Sequence, residues 1–141
     1  MSTTFRKGDR GFDAASQRVE LALRSGVCYG RTRSADLESN YVSGTALRMS
    51  DVLVIGPKGG FAAVMTYARE WFVAALCGKG DGKMIMDRVR TAARRAGADR
   101  VTLSPTPSAK PFYRRLGFAE STKKNKKTKS LWCLAVRDHR N

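Results

Sequence analysis

Apolar residues fall into short runs separated by glycine and proline, and the spacing inside each run predicts the elements. DVLVIG (51–56) is a β-branched run closed by the turn cluster Pro57-Lys58-Gly59-Gly60. FAAVMTYA (61–68) reads as a second strand. A tight turn at Arg69-Glu70 leads into WFVAALC (71–77), a third. Connections this short predict an antiparallel meander. Residues 78–83 alternate glycine with polar residues and open a helix. Ile85, Val89, Ala92, Ala93 and Ala96 fall at helical spacing on one face, and Lys83, Arg88, Arg90, Arg94 and Arg95 cover much of the rest. Gly97 supplies the left-handed stop. DRVTLSP (99–105) is then a strand, so strand, helix and strand predict a right-handed parallel crossover. Ser108 is placed to cap a short helix, AKPFYRRL (109–116), with Pro111 tolerated in its first turn and Gly117 as its stop. The chain closes in a hairpin: a strand near Phe118–Ser121, a lysine-rich loop, then SLWCLAV (130–136).

The first fifty residues are patterned less clearly. Residues 1–12 read as an extended arm or a short first strand. Asp13 is placed to cap a helix running to about Arg24, with Ala14, Val19, Leu21, Ala22 and Leu23 as its apolar content and Gly26 as its end. Between 30 and 46 the chain is polar with scattered apolar positions. A short helix over Ala35–Val42 and a loop both fit. There is no internal repeat, and the low-complexity tract is KKNKKTK (123–129).

At 141 residues the chain is expected to form one domain, 1–141. Its 42% hydrophobic and 28% charged residues are those of an ordinary globular protein. No run approaches the ~20 apolar residues of a membrane span, and MSTTFRKGDRGF lacks the apolar core of a secretory signal. The expectation is a cytoplasmic protein without a membrane partner. Cys28, Cys77 and Cys133 are odd in number and lack C-x-x-C spacing, which argues against a disulfide framework and a zinc finger. The one histidine, His139, is two residues from the C-terminus. A catalytic triad, a Cys-His pair and a two-histidine metal site are therefore disfavoured, and no metal is expected.

Charge narrows the partners. Lys and Arg number 27 against 12 Asp and Glu, a net charge of +15. Such a surplus attracts polyanions: nucleic acid, an anionic membrane surface or a phosphorylated cofactor. The segment WFVAALCGKGDGKMIMDRVRTAARRAG shows where an anion could sit. The first N–H groups of a helix have no partner inside it, and the helix dipole adds positive charge at that end. Gly78, Gly80 and Gly82 let backbone approach an anion, and Lys79 and Lys83 add formal charge. The motif is not G-x-x-x-x-G-K-[ST], since Met84 follows Lys83. Nor does it open an early βαβ unit with an acidic residue on the second strand, as a dinucleotide fingerprint would. It reads as a phosphate or pyrophosphate cradle, against the plainer reading of a glycine-permitted turn.

FYRRLGF (112–118) follows about thirty residues later. Here the chain resembles the GNAT superfamily of acyl-CoA-dependent N-acetyltransferases. Those proteins carry Q/R-x-x-G-x-G/A at a helix start, then a strand, then a helix ending in a Phe-Tyr-x-x-x-Gly-Phe-like signature. The first pattern stands here as Cys77-Gly78-Lys79-Gly80-Asp81-Gly82, and the second as Phe112-Tyr113-Arg114-Arg115-Leu116-Gly117-Phe118. The resemblance covers residues 51–121. Cys77 stands at the usual Gln/Arg position and Thr106 at a usual Asn.

The resemblance implies an α/β (α+β) fold: a mixed, mostly antiparallel twisted sheet of six or seven strands flanked by about four helices. A splayed parallel strand pair would hold the pantetheine arm of acetyl-CoA. The implied cofactor set is Phe72, Val73, Ala74, Ala75, Leu76, Cys77, Gly78, Lys79, Gly80, Asp81, Gly82, Lys83, Ser108, Phe112 and Tyr113. The implied reaction is direct attack of an amine on the thioester, without a covalent enzyme intermediate. A strand amide would polarise the oxygen, and an acid would protonate the departing thiolate.

Individual residues carry alternatives. Tyr113 matches the family tyrosine that acts as general acid; it also fits simple packing with Phe112 and Leu116. Glu70 stands where some members place a general base acting through water. Its plainer and preferred role is the solvated acid of a hairpin turn. Ala74 and Ala75 leave no carboxylate deeper in the strand. Asp81 would repel phosphate and is expected to point to solvent. Cys77 and Cys133 read as structural. The run Lys123–Lys129 is a solvated loop or a weak, sequence-independent nucleic-acid contact. The leading expectation is acetyl transfer to an amine-bearing substrate, small molecule or protein, by a monomer or homodimer. The alternatives are a nucleic-acid-associated binding protein on the same fold, and a module holding CoA as a structural ligand.

Overall fold

The computed structural model describes residues 3–24, 50–78, 80–105, 109–121 and 131–136. In chain order these form β1 (Thr3–Arg6), α1 (Phe12–Arg24), β2 (Val52–Ile55), β3 (Phe61–Thr66), β4 (Glu70–Cys77), α2 (Gly82–Arg95), β5 (Arg100–Leu103), α3 (Lys110–Arg115), β6 (Ala119–Glu120) and β7 (Trp132–Ala135). The seven strands make one sheet in the order β1-β2-β3-β4-β5-β7-β6. Every neighbouring pair is antiparallel except β4 and β5, which are parallel. This is the mixed, mostly antiparallel sheet that the resemblance implied. The meander is β2, β3 and β4, and residues 3–6 extend it as a strand on β2. The segment Ala35–Val42 and the Gly26 stop lie outside the described residues.

The sheet buries both faces. Val52, Val54, Ala62, Val64, Trp71 and Val73 join Ile85, Met86, Val89 and Ala93 of α2 in one cluster. Leu53, Phe61, Ala63, Ala75 and Cys77 join Phe12, Ala15 and Val19 of α1 in the other. Strand β3 alternates strictly between the two. Strand β4 does not. Trp71 and Val73 face α2, whereas Ala75 and Cys77, of the same parity, face α1. The change of phase has a definite origin. Val64 pairs with Val73 and Ala63 with Ala75, so Ala74 is an extra residue with no partner of its own on β3. One inserted residue moves every later side chain to the opposite face, because the strand period is two.

The helices depart from the sequence reading in detail. Helix α1 begins at Phe12, with Ala15 N–H donating to the Gly11 carbonyl at 3.0 Å. Asp13 therefore lies inside the first turn, where it complements the helix dipole, rather than at the cap. Leu21 is 67% exposed and adds nothing to the core. In α2 the buried stripe is Ile85, Met86, Val89 and Ala93. Ala96 is exposed at the C-cap, because the helix ends before its side chain reaches the sheet. Helix α3 is tied down by aromatic contacts: Tyr113 lies edge-on to Phe118 at 5.6 Å between centroids, and the Arg114 guanidinium lies 5.3 Å above the Trp132 ring.

These burials set a testable contrast. Phe61 is 1% exposed. Phe61→Ala is expected to cost about 3–5 kcal/mol in urea denaturation. Leu21→Ala should fall within about 0.5 kcal/mol of the parent. Equal losses would show that α1 buries a different face.

Candidate functional site

The site begins where β4 and β5 separate. The two strands pair as Glu70 with Arg100, Trp71 with Val101 and Phe72 with Thr102, and there the ladder stops. Strand β4 continues through Val73, Ala74, Ala75, Leu76 and Cys77. Over that stretch its β5-facing edge has no strand partner among the described residues. Backbone groups on such an edge need hydrogen bonds from elsewhere. The Ala74 bulge sits in the unpaired stretch. At the closing pair, the Thr102 hydroxyl is buried with no hydrogen-bond partner. From Phe72 to Gly78 the strand covers about 20 Å at ~3.3 Å per residue, so an extended ligand can lie along it.

The open end of this gap is the start of α2. Asp81 is the N-cap residue, and its side chain makes no capping bond. No acidic residue lies in the first turn. Ile85 N–H makes the first intrahelical bond, to the Asp81 carbonyl at 3.0 Å. The N–H groups of Gly82, Lys83 and Met84 precede it, so they have no intrahelical acceptor. Gly80 has φ +87°, in the left-handed region that glycine adopts at no steric cost. The flanking glycines answer protein contacts. A Cβ on Gly78 would lie 3.2 Å from Gly82 Cα, and one on Gly82 would lie 3.3 Å from the Phe112 ring. Phe112 thereby ties α3 to the base of the loop. Lys83 is exposed, 3.8 Å from Asp87 one turn on. Lys79 and Ser108, both in the implied cofactor set, lie outside the described residues.

Asp81 overturns its expected orientation. It is 4% exposed. Its Oδ2 accepts from the Lys58 amide at 3.1 Å and the Gly60 amide at 3.4 Å, both in the β2–β3 turn. The physical reason is the turn itself, which presents inward-pointing amides to a carboxylate on the neighbouring loop. That approach needs glycine on the other side. A Cβ on Gly56 or Gly60 would collide with the Asp81 carboxylate, and one on Gly60 would also lie 2.7 Å from the Cys77 carbonyl. No sequence signal links residues 56–60 to residue 81. Only the return of β3 alongside β4 brings them together.

Tyr113 is 7% exposed and packs against Phe112 and Phe118. Burial pushes its phenol up to about 12, so it stays protonated at any working pH. Glu70 opens β4, two residues before the closing pair. Its Oε1 accepts from Arg100 Nε at 2.8 Å, and this bond is the main cause of a raised Arg100 pKa. The expected solvated turn acid is thus a partly buried member of an ion pair. Cys77 is buried against the α1-side cluster, and neither it nor Cys133 forms a disulfide. Burial raises the Cys133 thiol above its ordinary value, which disfavours the reactive thiolate. Among the described residues no group of His, Cys, Asp or Glu is placed to hold a metal, and no helix is long and apolar enough to cross a membrane. The Lys123–Lys129 run and Thr106 lie outside the described residues. A separate cleft of about 580 Å³, lined by Arg6, Lys7, Asp51, Thr66, Tyr67 and Trp71, opens at the opposite end of the sheet.

The Asp81 contact makes a prediction. In Gly56→Ala the new methyl must displace the carboxylate and Ile85 Cδ1, which would lie 3.0 Å away. The expected cost is about 1–3 kcal/mol in urea denaturation. In an Asp81→Ala background the same change should cost less than half as much, because the carboxylate has gone. An equal cost in both backgrounds would show that Asp81 does not impose glycine at position 56.

Comparison with known proteins follows the same lines. A sequence family described as acetyltransferase (GNAT) domain matches residues 66–135. No curated protein matches the chain significantly. Solved structures share the fold at low identity. The aminoglycoside 6'-N-acetyltransferase from Enterococcus faecium superposes with TM-score 0.66 at 12% identity, over 100% of this chain and 99% of that one. An aminoglycoside 6'-N-acetyltransferase complexed with coenzyme A gives 0.65 at 12%, with the same coverage. Tetrahymena GCN5 gives 0.65 at 10%, over 97% of this chain and 96% of that one. The family match spans β4, the glycine turn, α2, β5 and α3, the elements that build the gap and its mouth, so this segment is similar to a GNAT acetyltransferase domain and the chain shares the fold of these acetyltransferases.

Proposed function

We propose that the chain is an acetyl-CoA-dependent N-acetyltransferase that brings an amine directly to the thioester. The observation that carries this reading is the uncapped N-terminus of α2 at the mouth of the β4–β5 gap. A structural helix start would be capped, by the Asp at its own N-cap position if by nothing else. Here that carboxylate is drawn away, and the first amides, which have no acceptor within the helix, suit the pyrophosphate of CoA. The backbone from Gly78 to Lys83 would hold it, and the open edge of Phe72–Cys77 would bond the amides of the pantetheine arm. Ser108, Phe112 and Tyr113 complete the proposed set.

Acetyl-CoA supplies an acyl thioester. The rest falls to the chain. An edge amide of β4 stabilises negative charge on the carbonyl oxygen, where a preorganised donor is worth about 3–4 kcal/mol. Tyr113 donates its hydrogen bond to the departing sulfur. At about 12 the phenol is a weaker acid than a thiol of pKa ~8.5. Its role is therefore donation, and water delivers the proton that ends on sulfur. The amine gives up its proton as the C–N bond forms and the C–S bond breaks. Glu70, hydrogen-bonded to Arg100, is the carboxylate on β4 beside the closing pair and accepts that proton through water. Ala74 and Ala75 offer no acid of their own.

The acceptor class follows from charge. A protein of net charge +15 disfavours cationic acceptors such as polyamines, so neutral or anionic amines and protein amines are favoured. A second reading is a nucleic-acid-associated binding protein on this fold. Exposed Arg90, Arg94 and Arg95 on α2 favour it.

Acetyl-CoA at 100 times its dissociation constant should stabilise the protein by about 2.7 kcal/mol, seen as a rise in Tm. Gly80→Asp, with a side chain and negative charge at the cradle, should abolish the rise. A panel of amines, followed by CoA release, then tests turnover. Tyr113→Phe should lower turnover ten- to a thousandfold with acetyl-CoA affinity nearly unchanged, as expected for loss of a hydrogen-bond donor to the departing sulfur. No stabilisation by millimolar acetyl-CoA would refute the cofactor site. Stabilisation with no turnover on any amine would leave CoA as a structural ligand.

A further inference from the structure

Lys58 lies 22 residues before Gly80 in the sequence and next to it in space. A Cβ built on Gly80 would lie 3.4 Å from Lys58 Nζ and 3.7 Å from its Cδ. The lysine comes from the β2–β3 turn, where Gly56 N–H donates to the Gly60 carbonyl at 2.8 Å and Gly59 N–H donates to the Gly56 carbonyl at 3.2 Å. Asp81 holds this turn against the cradle by accepting from the Lys58 and Gly60 amides. Lys58 forms no ion pair among the described residues, and its side chain is exposed. An ammonium set beside left-handed Gly80, at the mouth of an uncapped helix, has one natural counter-charge, a phosphate.

We propose that Lys58 is a phosphate-contacting residue of the CoA site, delivered from the β2–β3 turn, and that Asp81 is the positioning residue that holds it there. The proposal rests on the CoA reading above and adds a residue from outside the segment that the family match covers. It also explains why a buried carboxylate stands beside a phosphate cradle. Its charge is spent on two amides of the turn, and the turn returns a cation.

The test is calorimetric titration with acetyl-CoA, over a series of salt concentrations. Lys58→Ala should weaken binding on the order of tenfold and flatten the salt dependence by roughly one ion's worth. Lys58→Arg should recover most of the affinity. Asp81→Ala removes the acceptor that holds the turn. If Asp81 acted only through its charge, removing it would tighten phosphate binding. As a positioning residue it should weaken binding several-fold in the wild-type background and by a smaller factor in the Lys58→Ala background, where only its hold on the loop is lost. Wild-type affinity and salt slope in Lys58→Ala would overturn the proposal for Lys58. Tighter or unchanged binding in Asp81→Ala would overturn it for Asp81. Failure of the wild-type protein to bind acetyl-CoA would instead refute the cofactor site itself.

Discussion

A carboxylate taken out of water must find donors, or its burial costs several kcal/mol. Asp81 finds them in the amides of Lys58 and Gly60, and much of the site follows from that choice. The side chain is withdrawn from the helix it could have capped, so the first N–H groups of α2 face the open end of the gap. The β2–β3 turn is drawn onto the glycine loop, and its own residues must then lack Cβ atoms at 56 and 60. The loop is held from both sides: by the turn through Asp81, and by α3 through Phe112 against Gly82. A cradle of backbone amides works only if it is rigid, because preorganised donors cost no reorganisation when the anion arrives.

The second constraint is the extra residue at Ala74. It reverses the facing of β4 halfway along, so one strand serves the α2-side core with Trp71 and Val73 and the α1-side core with Ala75 and Cys77. The same insertion falls where β4 has lost β5 as a neighbour. A bulge re-aims backbone groups, and here it does so along an edge that has no strand partner among the described residues. The chemistry proposed for this protein needs little more than that edge, a phosphate cradle and a phenol. This accords with a chain whose one histidine lies two residues from its end.

The electrostatics divide between the two ends of β4. At the mouth of the gap, Lys83, Lys58 and the α2 dipole favour an anion, and the Asp81 carboxylate already accepts from two turn amides. At the closed end, Glu70 and Arg100 neutralise each other at 2.8 Å. With both partners partly exposed, such a pair is worth little in stability, about 0–1 kcal/mol. Its effect is to fix the Glu70 carboxylate in place beside the closing pair.

The strands and helices from Asp51 onward were legible in the sequence because each follows from local causes. β-branched runs, turn glycines and a 3.6-residue stripe act within a few positions of one another. The glycine turn before a basic helix and the Phe-Tyr-x-x-x-Gly-Phe signature were enough to indicate the superfamily and the parallel pair. Other features depended on contacts between distant segments. Asp81 reads as a solvent-facing acid until the β2–β3 turn is brought across it. Lys58 reads as a turn residue until it lies beside Gly80. The Ala74 bulge leaves no mark, since WFVAALC is apolar throughout and carries no alternation to interrupt. Tyr113 was open between acid and packing, and the fold buries it, which alone raises its pKa. Local sequence determined which elements form. Where a carboxylate, an ammonium and a strand edge meet was decided by tertiary structure, because burial and hydrogen-bond satisfaction belong to the packed chain and not to any segment of it.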